Sequence, residues 1–275
     1  METILECRNF LRSRTSATPR VALILGSGMG NLLEQVQVEE SIPYKEIPHF
    51  PVSTVEGHVG NLIFGTIAQV PVVIMQGRFH YYEGYSMQQI AFPVRVMKFL
   101  GAEFLFLANA TGGLNPDYRT GDIVIITDHI NLQPGNPLRG TNDERLGLRF
   151  PDMSKAYDAE CIENAKKIAA KNNILLHSGI YVGCCGPSLE TPAEYRMFRL
   201  LGGDVVGMSS VPEVIAARHV GLRCCALAAV TNESASAQQG IETSFADVQR
   251  NARNALPNMT AIFVGLIENI DQLNN

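Results

Sequence analysis

Val72-Val73-Ile74-Met75-Gln76-Gly77-Arg78-Phe79-His80-Tyr81-Tyr82-Glu83-Gly84 reads as a buried strand that runs into a dense cluster of polar chemistry, with a helix pattern after it. Residues 72–75 are continuously apolar rather than alternating, which suits a strand covered on both faces. Similar short runs rich in Val, Ile and Leu recur at 21–25, 62–66, 71–75, 104–108, 123–126, 179–183, 204–207 and 224–230. Helix patterns fall between some of them. Residues 86–100 place Met87, Ile90, Val94 and Met97 on one stripe, with Gly101 as the stop. Residues 154–172 form a second helix pattern, and 244–272 form a long amphipathic tail interrupted near Pro257. Strands alternating with helices predict an α/β fold, a central mixed and mostly parallel β-sheet flanked by helices. No linker, low-complexity tract or repeat divides the chain, so residues 1–275 are expected to form a single domain.

Between Gly77 and Gly84 lie a fixed cation, a titratable imidazole, two phenols and a carboxylate. Arg78 and His80 are two positions apart in what reads as extended backbone, so both side chains point to one side. A guanidinium beside an imidazole is how a small oxyanion such as phosphate is held.

The rest of the composition narrows the function. A formal net charge of −5, with the basic residues scattered, argues against nucleic acid as the main partner. No apolar run approaches the length of a membrane span. Met1-Glu2-Thr3-Ile4 lacks the basic-then-apolar order of a signal peptide, and a cytoplasmic location is the expectation. The six cysteines include the adjacent pairs Cys184-Cys185 and Cys224-Cys225. They lack metal-site spacing and are read as buried, reduced thiols.

Further segments carry candidate chemistry. Val21 to Gly30 is a strand entering the turn Gly26-Ser27-Gly28-Met29-Gly30, where backbone N–H groups and the Ser27 hydroxyl can approach an anion. No Gly-Lys-Ser/Thr follows, which removes the P-loop reading. Glu39 and Glu40 come too soon for a dinucleotide site, although a purely structural turn stays open. Phe104 to Gly113 is a second strand ending in small residues, where a ligand can lie against Asn109-Ala110 or the chain can simply turn. Glu190 and Asn232 each follow an apolar run and make a sensible pair for a heterocycle, one accepting and one both donating and accepting. Thr191-Pro192-Ala193-Glu194 and Ser210-Val211-Pro212-Glu213 both read as capping boxes with proline at the first helical position. His58 lies in a loop punctuated by Pro and Gly and is a candidate mobile element, whereas His49, His129, His177 and His219 are assigned to structure or surface.

Taken together, the motifs resemble the trimeric purine nucleoside phosphorylases along nearly the whole chain. The resemblance rests on Gly26-Ser27-Gly28, Glu56-Gly57-His58, Gly77 to Gly84, Asn109 to Gly113, Asp128 to Asn131, Asn136 to Gly140, Gly186 to Thr191, Gly207 to Glu213 and Thr231-Asn232. It implies reversible phosphorolysis of purine nucleosides by a homotrimer, with phosphate as co-substrate and neither metal nor other cofactor. It makes Ser27, Arg78, His80, Ala110 and Ser209 the phosphate-binding residues, and Ala110, Gly112, Leu189, Glu190 and Asn232 the purine-binding ones. Tyr82, Met208, Phe245 and His58 would border the ribose, with Phe150 reaching in from a neighbouring subunit. His80, Glu83 and Asn232 are the candidate catalytic residues. Asn232 favours 6-oxopurines such as those of inosine and guanosine, since related enzymes acting on 5′-methylthioadenosine carry Asp there.

Two departures from the family pattern bear on specificity. Phe245 stands where family members acting on ordinary nucleosides usually have a His that reaches the ribose 5′-OH, and Leu189 stands where an aromatic often stacks near the base. Phe245 therefore keeps a 5′-methylthioadenosine or 5′-methylthioinosine phosphorylase as the alternative enzyme. From other classes, a catalytically silent purine-nucleoside binding protein is opposed by Arg78, His80 and Asn232. A dinucleotide-dependent oxidoreductase survives only if the first glycine turn is read in isolation.

Overall fold

A computed structural model describes residues 1–26, 30–52, 54, 59–234 and 241–274. The candidates Ser27 and His58 lie outside the described residues.

The apolar runs become a sheet in which strands β1 (Val21–Leu25), β4 (Val70–Gln76) and β5 (Phe104–Gly113) lie side by side in parallel. All five residues of β1 are buried, as a strand covered on both faces requires. On one flank, β3 (Asn61–Ile67) pairs antiparallel with β4, and β2 (Gln37–Pro43) pairs antiparallel with β3 at the edge. On the other flank come β6 (Ile123–Asn131), β7 (Leu176–Gly183), β8 (Val205–Gly207) and β9 (Arg223–Glu233). Their order is β5-β8-β7-β6-β9, and β9 pairs back onto β5, which closes these five strands into a ring. Five of the nine strand pairings among the described residues are parallel, so the sheet is mixed.

Helices α1 (Glu2–Arg14), α2 (Met87–Leu100), α3 (Ala159–Lys171), α4 (Pro192–Leu200), α5 (Val211–His219) and α6 (Phe245–Glu268) cover the sheet. The stripe on α2 is buried as its spacing requires, and Gly101 ends that helix at a φ of 120°, a conformation open chiefly to glycine. Helix α6 packs along β9 and β5, with Phe263 stacked on Phe106 at 5.9 Å.

Several boundaries differ from the sequence reading. Helix α3 starts at Ala159, because Asp158 caps it through a 3.0 Å bond from the Cys161 N–H, while Ser154 is spent on a turn with Asp152. Helix α6 runs through Pro257 without a break, the proline falling on its exposed face. Strands β5 and β9 continue past 108 and 230, so Ala110, Gly112 and Asn232 lie in strand, with a bulge at Thr111/Gly112, rather than in turns. The cysteines are all free thiols, but only Cys7, Cys161, Cys224 and Cys225 are buried; Cys184 is half-buried and Cys185 exposed.

Candidate active site

Strand β1 stops opposite Ala108, and β8 pairs with Gly112 and Gly113 on the same side of β5. The edge of β5 between them opens onto a cavity of about 560 Å³. It brings together Arg78, His80, Tyr82, Glu83, Ala110, Gly112, Leu189, Glu190, Met208, Ser209, Asn232 and Phe245. Phe150 is not among the lining residues; it is 86% exposed on the surface, beside the Arg149 guanidinium.

At one end sits the cationic group. Arg78 is fully buried, and its guanidinium donates to the carbonyls of Ile24 (3.0 Å), near the carboxyl end of β1, and of Ala108, midway along β5. It also donates to Ser210 Oγ at 3.1 Å, an oxygen that accepts from Asn109 Nδ2 at 2.6 Å. This corrects the reading of Ser210 as a capping side chain. Its backbone takes a φ of 65°, its hydroxyl makes no cap bond, and it turns to Arg78 and Asn109 instead. Glu213, expected to complete that cap, is buried with Oε1 3.9 Å from Arg78. Burial pushes the Arg78 pKa down and the Glu213 pKa up, and each one's charge opposes the other's shift. The Thr191 box is made as read, with the Glu194 N–H to Thr191 Oγ1 and the Thr191 N–H to Glu194 carboxylate.

His80 is held in extended backbone beside Arg78, so the two side chains share the cavity. Its Nδ1 lies 2.8 Å from Glu83 Oε1. Burial lowers the imidazole pKa below 6.5, aided by the Arg78 charge and resisted by Glu83. Burial also pushes the Glu83 carboxyl up, but hydrogen bonds from His80 and from the Thr54 N–H and hydroxyl outweigh it, leaving the group below its usual range. The result is a neutral imidazole with Nδ1–H directed at a carboxylate, which places the lone pair on Nε2. Such a ring accepts the hydroxyl hydrogen of a monoprotonated phosphate. Tyr82 stacks on His80 at 4.6 Å, and burial pushes its phenol up to about 12, so it remains a hydrogen-bond donor at neutral pH.

At the other end are the heterocycle candidates. Glu190 accepts from the Cys184 thiol at 3.4 Å, and burial raises its pKa above the usual carboxylate range against the opposing hydrogen bonds. Asn232 Nδ2 donates to the Tyr195 hydroxyl at 2.7 Å, and Thr231 Oγ1 donates to Asn232 Oδ1 at 3.1 Å. Leu189 and Phe245 are half-exposed at the cavity, Phe245 as the first residue of α6, behind the capping box of Ser244 and Asp247. Among the described residues the sequence reading missed Thr54, Tyr195, Ser210 and Glu213. Tyr195 had a signal: the Thr191 cap fixes α4, and the turn that follows carries its first aromatic back toward Glu190.

The other four histidines have structural partners: His49 with Glu6, His129 with Tyr157, His177 with Asp122 and His219 with Asn142.

Comparison with known proteins agrees with this geometry. The phosphorylase superfamily matches residues 20–268. Purine nucleoside phosphorylase 1 of Geobacillus stearothermophilus is 51% identical over 230 residues, 84% of each chain. Isoform 2 of purine nucleoside phosphorylase from Schistosoma mansoni, solved in complex with cytosine and ribose-1-phosphate, has a TM-score of 0.93 at 41% identity, covering 97% of this chain and 96% of that one. A schistosoma purine nucleoside phosphorylase in complex with hypoxanthine has a TM-score of 0.92 at 42% identity, covering 98% and 97%. The chain belongs to the phosphorylase superfamily, among its purine nucleoside phosphorylases.

Proposed function

We infer that the chain catalyses the reversible phosphorolysis of purine ribo- and deoxyribonucleosides, preferring 6-oxopurines, to free base and (deoxy)ribose 1-phosphate. The observation that carries this is the two-ended cavity. Arg78 is anchored at Ala108 and Asn232 pairs with Gly112 further along β5, and both, with His80 and Glu190, line one cavity of about 560 Å³ that can hold nucleoside and phosphate. Phosphate held by Arg78, His80, Ser209 and the Ala110 edge attacks the anomeric carbon as the glycosidic bond breaks. The sugar gains positive charge, which the phosphate opposes, and the departing purine gains negative charge, which an Asn232 N–H stabilises. Contacts that strengthen only as this charge separates lower the barrier. Tyr82, Met208 and Phe245 border the sugar, and Ala110 to Gly112 and Leu189 line the ring. Ser27 and His58 are assigned to phosphate and ribose by their motifs alone. In this reading phosphate is the co-substrate and the reaction uses no metal or redox cofactor.

Chromatography of inosine incubated with the protein tests it. Hypoxanthine should appear only when phosphate is added, with one ribose 1-phosphate formed per base. Release independent of phosphate, or none, would overturn the assignment. The same reading makes residues 1–275 one domain of a homotrimer in the cytoplasm, with Phe150 closing a neighbour's ribose site. No described helix is long and apolar enough to cross a membrane. A fully active monomer in sedimentation would remove the role for Phe150.

A further inference from the structure

Asn232 carries opposite chemistries on the two arms of one nearly symmetric fork, so what it reads depends on which arm faces the ligand. Both arms have partners. Nδ2 donates to the Tyr195 hydroxyl at 2.7 Å, whereas Oδ1 lies 3.1 Å from Thr231 Oγ1, whose one proton is shared with the Thr111 carbonyl at the same distance, so the Tyr195 contact is the stronger hold on the amide. Because the phenol oxygen is the acceptor of that Nδ2–H, the single phenol proton turns away from the amide, on the side where the Glu190 carboxylate lies close enough for each group to shift the other's pKa. Only the NH2 arm of the amide satisfies that oxygen. The phenol ring is itself held still, being 3% exposed and packed among Leu114, Val182, Phe198 and Val206. The backbone makes room for the contact at Gly112, where a Cβ would lie 2.9 Å from the Tyr195 hydroxyl and 3.3 Å from Asn232 Nδ2.

We propose that Tyr195, outside the cavity lining, is a specificity-positioning residue. Its hydroxyl, seated between Glu190 and Asn232, fixes the amide so that the remaining Nδ2–H serves the purine, selecting bases with an acceptor at position 6 over those with an amino group. The proposal rests on the reading of Asn232 as the base-contacting residue. Without Tyr195 the amide can rotate by half a turn at little cost and offer its oxygen to a 6-amino group. With it, that rotation sets two acceptors, the amide oxygen and the phenol oxygen, against each other, or turns the phenol proton away from the Glu190 side.

The test is Tyr195→Phe, which removes one oxygen from a buried ring. Phosphorolysis of inosine and of adenosine is measured side by side, with the melting temperature as a check on folding. The ratio of kcat/KM for inosine to that for adenosine should contract about tenfold, the weight of one directed hydrogen bond, with adenosine changing by less than about twofold. An unchanged ratio overturns the proposal, including the case in which both substrates lose equally, which is what a merely structural role would give. Should Tyr195→Phe fail to fold, Gly112→Ala, which presses a methyl between the phenol and the amide, is read by the ratio alone: it should contract, and an unchanged ratio overturns the proposal. Asn232→Ala separates the two levels of inference. If it keeps the wild-type ratio, the base-reading assignment of Asn232 fails. If it collapses the ratio while Tyr195→Phe does not, only the role of Tyr195 fails. Adding Tyr195→Phe to Asn232→Ala should change the ratio no further, since no amide is left to orient.

Discussion

One oxygen of Glu83 accepts twice from His80, at 2.8 Å from the backbone N–H and at 2.8 Å from ring Nδ1. The carboxylate therefore fixes both the chain and the imidazole tautomer where the phosphate is proposed to sit. In Glu83→Gln an amide replaces the charged acceptor. We expect kcat/KM for phosphate to fall about 10- to 100-fold at pH 7.5, the range for a hydrogen bond to a charged group. The pH profile adds a sign. Burial already lowers His80 below 6.5 and Glu83 opposes that shift. In the proposed reading neutral His80 is the binding form, so activity should fall as pH drops through its pKa, and losing Glu83 should move that acid limb to lower pH. Phosphate's own titration is common to both proteins. A limb displaced to higher pH would contradict the assignment.

The proposed function makes the choice of base depend on the amide at 232. Asn232→Asp turns a donor into a second acceptor beside Glu190 and should shift preference from inosine toward adenosine by at least about tenfold in relative kcat/KM. Unchanged relative values would remove Asn232 from base recognition.

Phe245 and Val248 of α6 face the cavity where the sugar is proposed to lie. An apolar ring gives a 5′-hydroxyl no partner, so inosine and 5′-deoxyinosine should differ by less than about fivefold in kcat/KM. Phe245→His should widen that gap toward tenfold by adding one hydrogen bond. A large loss with 5′-deoxyinosine in the unaltered protein would show that another group holds the hydroxyl.

Glu213 neutralises Arg78 from behind, fully buried and 3.9 Å away. Removing one partner of a buried pair leaves the other uncompensated, so Glu213→Ala should cost about 3–5 kcal/mol of stability, measured by denaturant unfolding. Saturating phosphate, bound beside the Arg78 guanidinium, should recover a larger share of stability in the variant than in the parent. Equal phosphate effects in the two proteins would place the anion away from Arg78.

The parallel core was legible because β1, β4 and β5 are continuously apolar and only a two-sided cover explains that pattern. The polar residues ending those strands were legible for the same reason, since nothing in a core needs Arg78 or His80. Strand β2 was not legible: Val38-Glu39-Glu40-Ser41 lies at the sheet edge with both faces largely exposed, so it lacks the apolar signature. The ring closure was hidden too, because β5–β9 pairing is a contact across more than a hundred residues that no local pattern encodes. Ser210 misled for a physical reason. A Ser-x-x-Glu sequence marks a cap when its neighbours are ordinary, and here a buried guanidinium outcompetes the helix terminus for the Ser210 hydroxyl and draws Glu213 to within 3.9 Å. Tyr195 escaped notice because its hydroxyl matters only through two residues that are distant from each other in sequence.

Strand β5 belongs both to the open half of the sheet and to the closed ring, and the cavity lies along the stretch where one gives way to the other. Arg78 is anchored to the open half and Asn232 to the ring, so the strand works as a ruler between them. In the reaction proposed above, its length sets how far the attacking oxygen stands from the departing base. A catalyst built this way takes the spacing of its two reactants from the sheet itself.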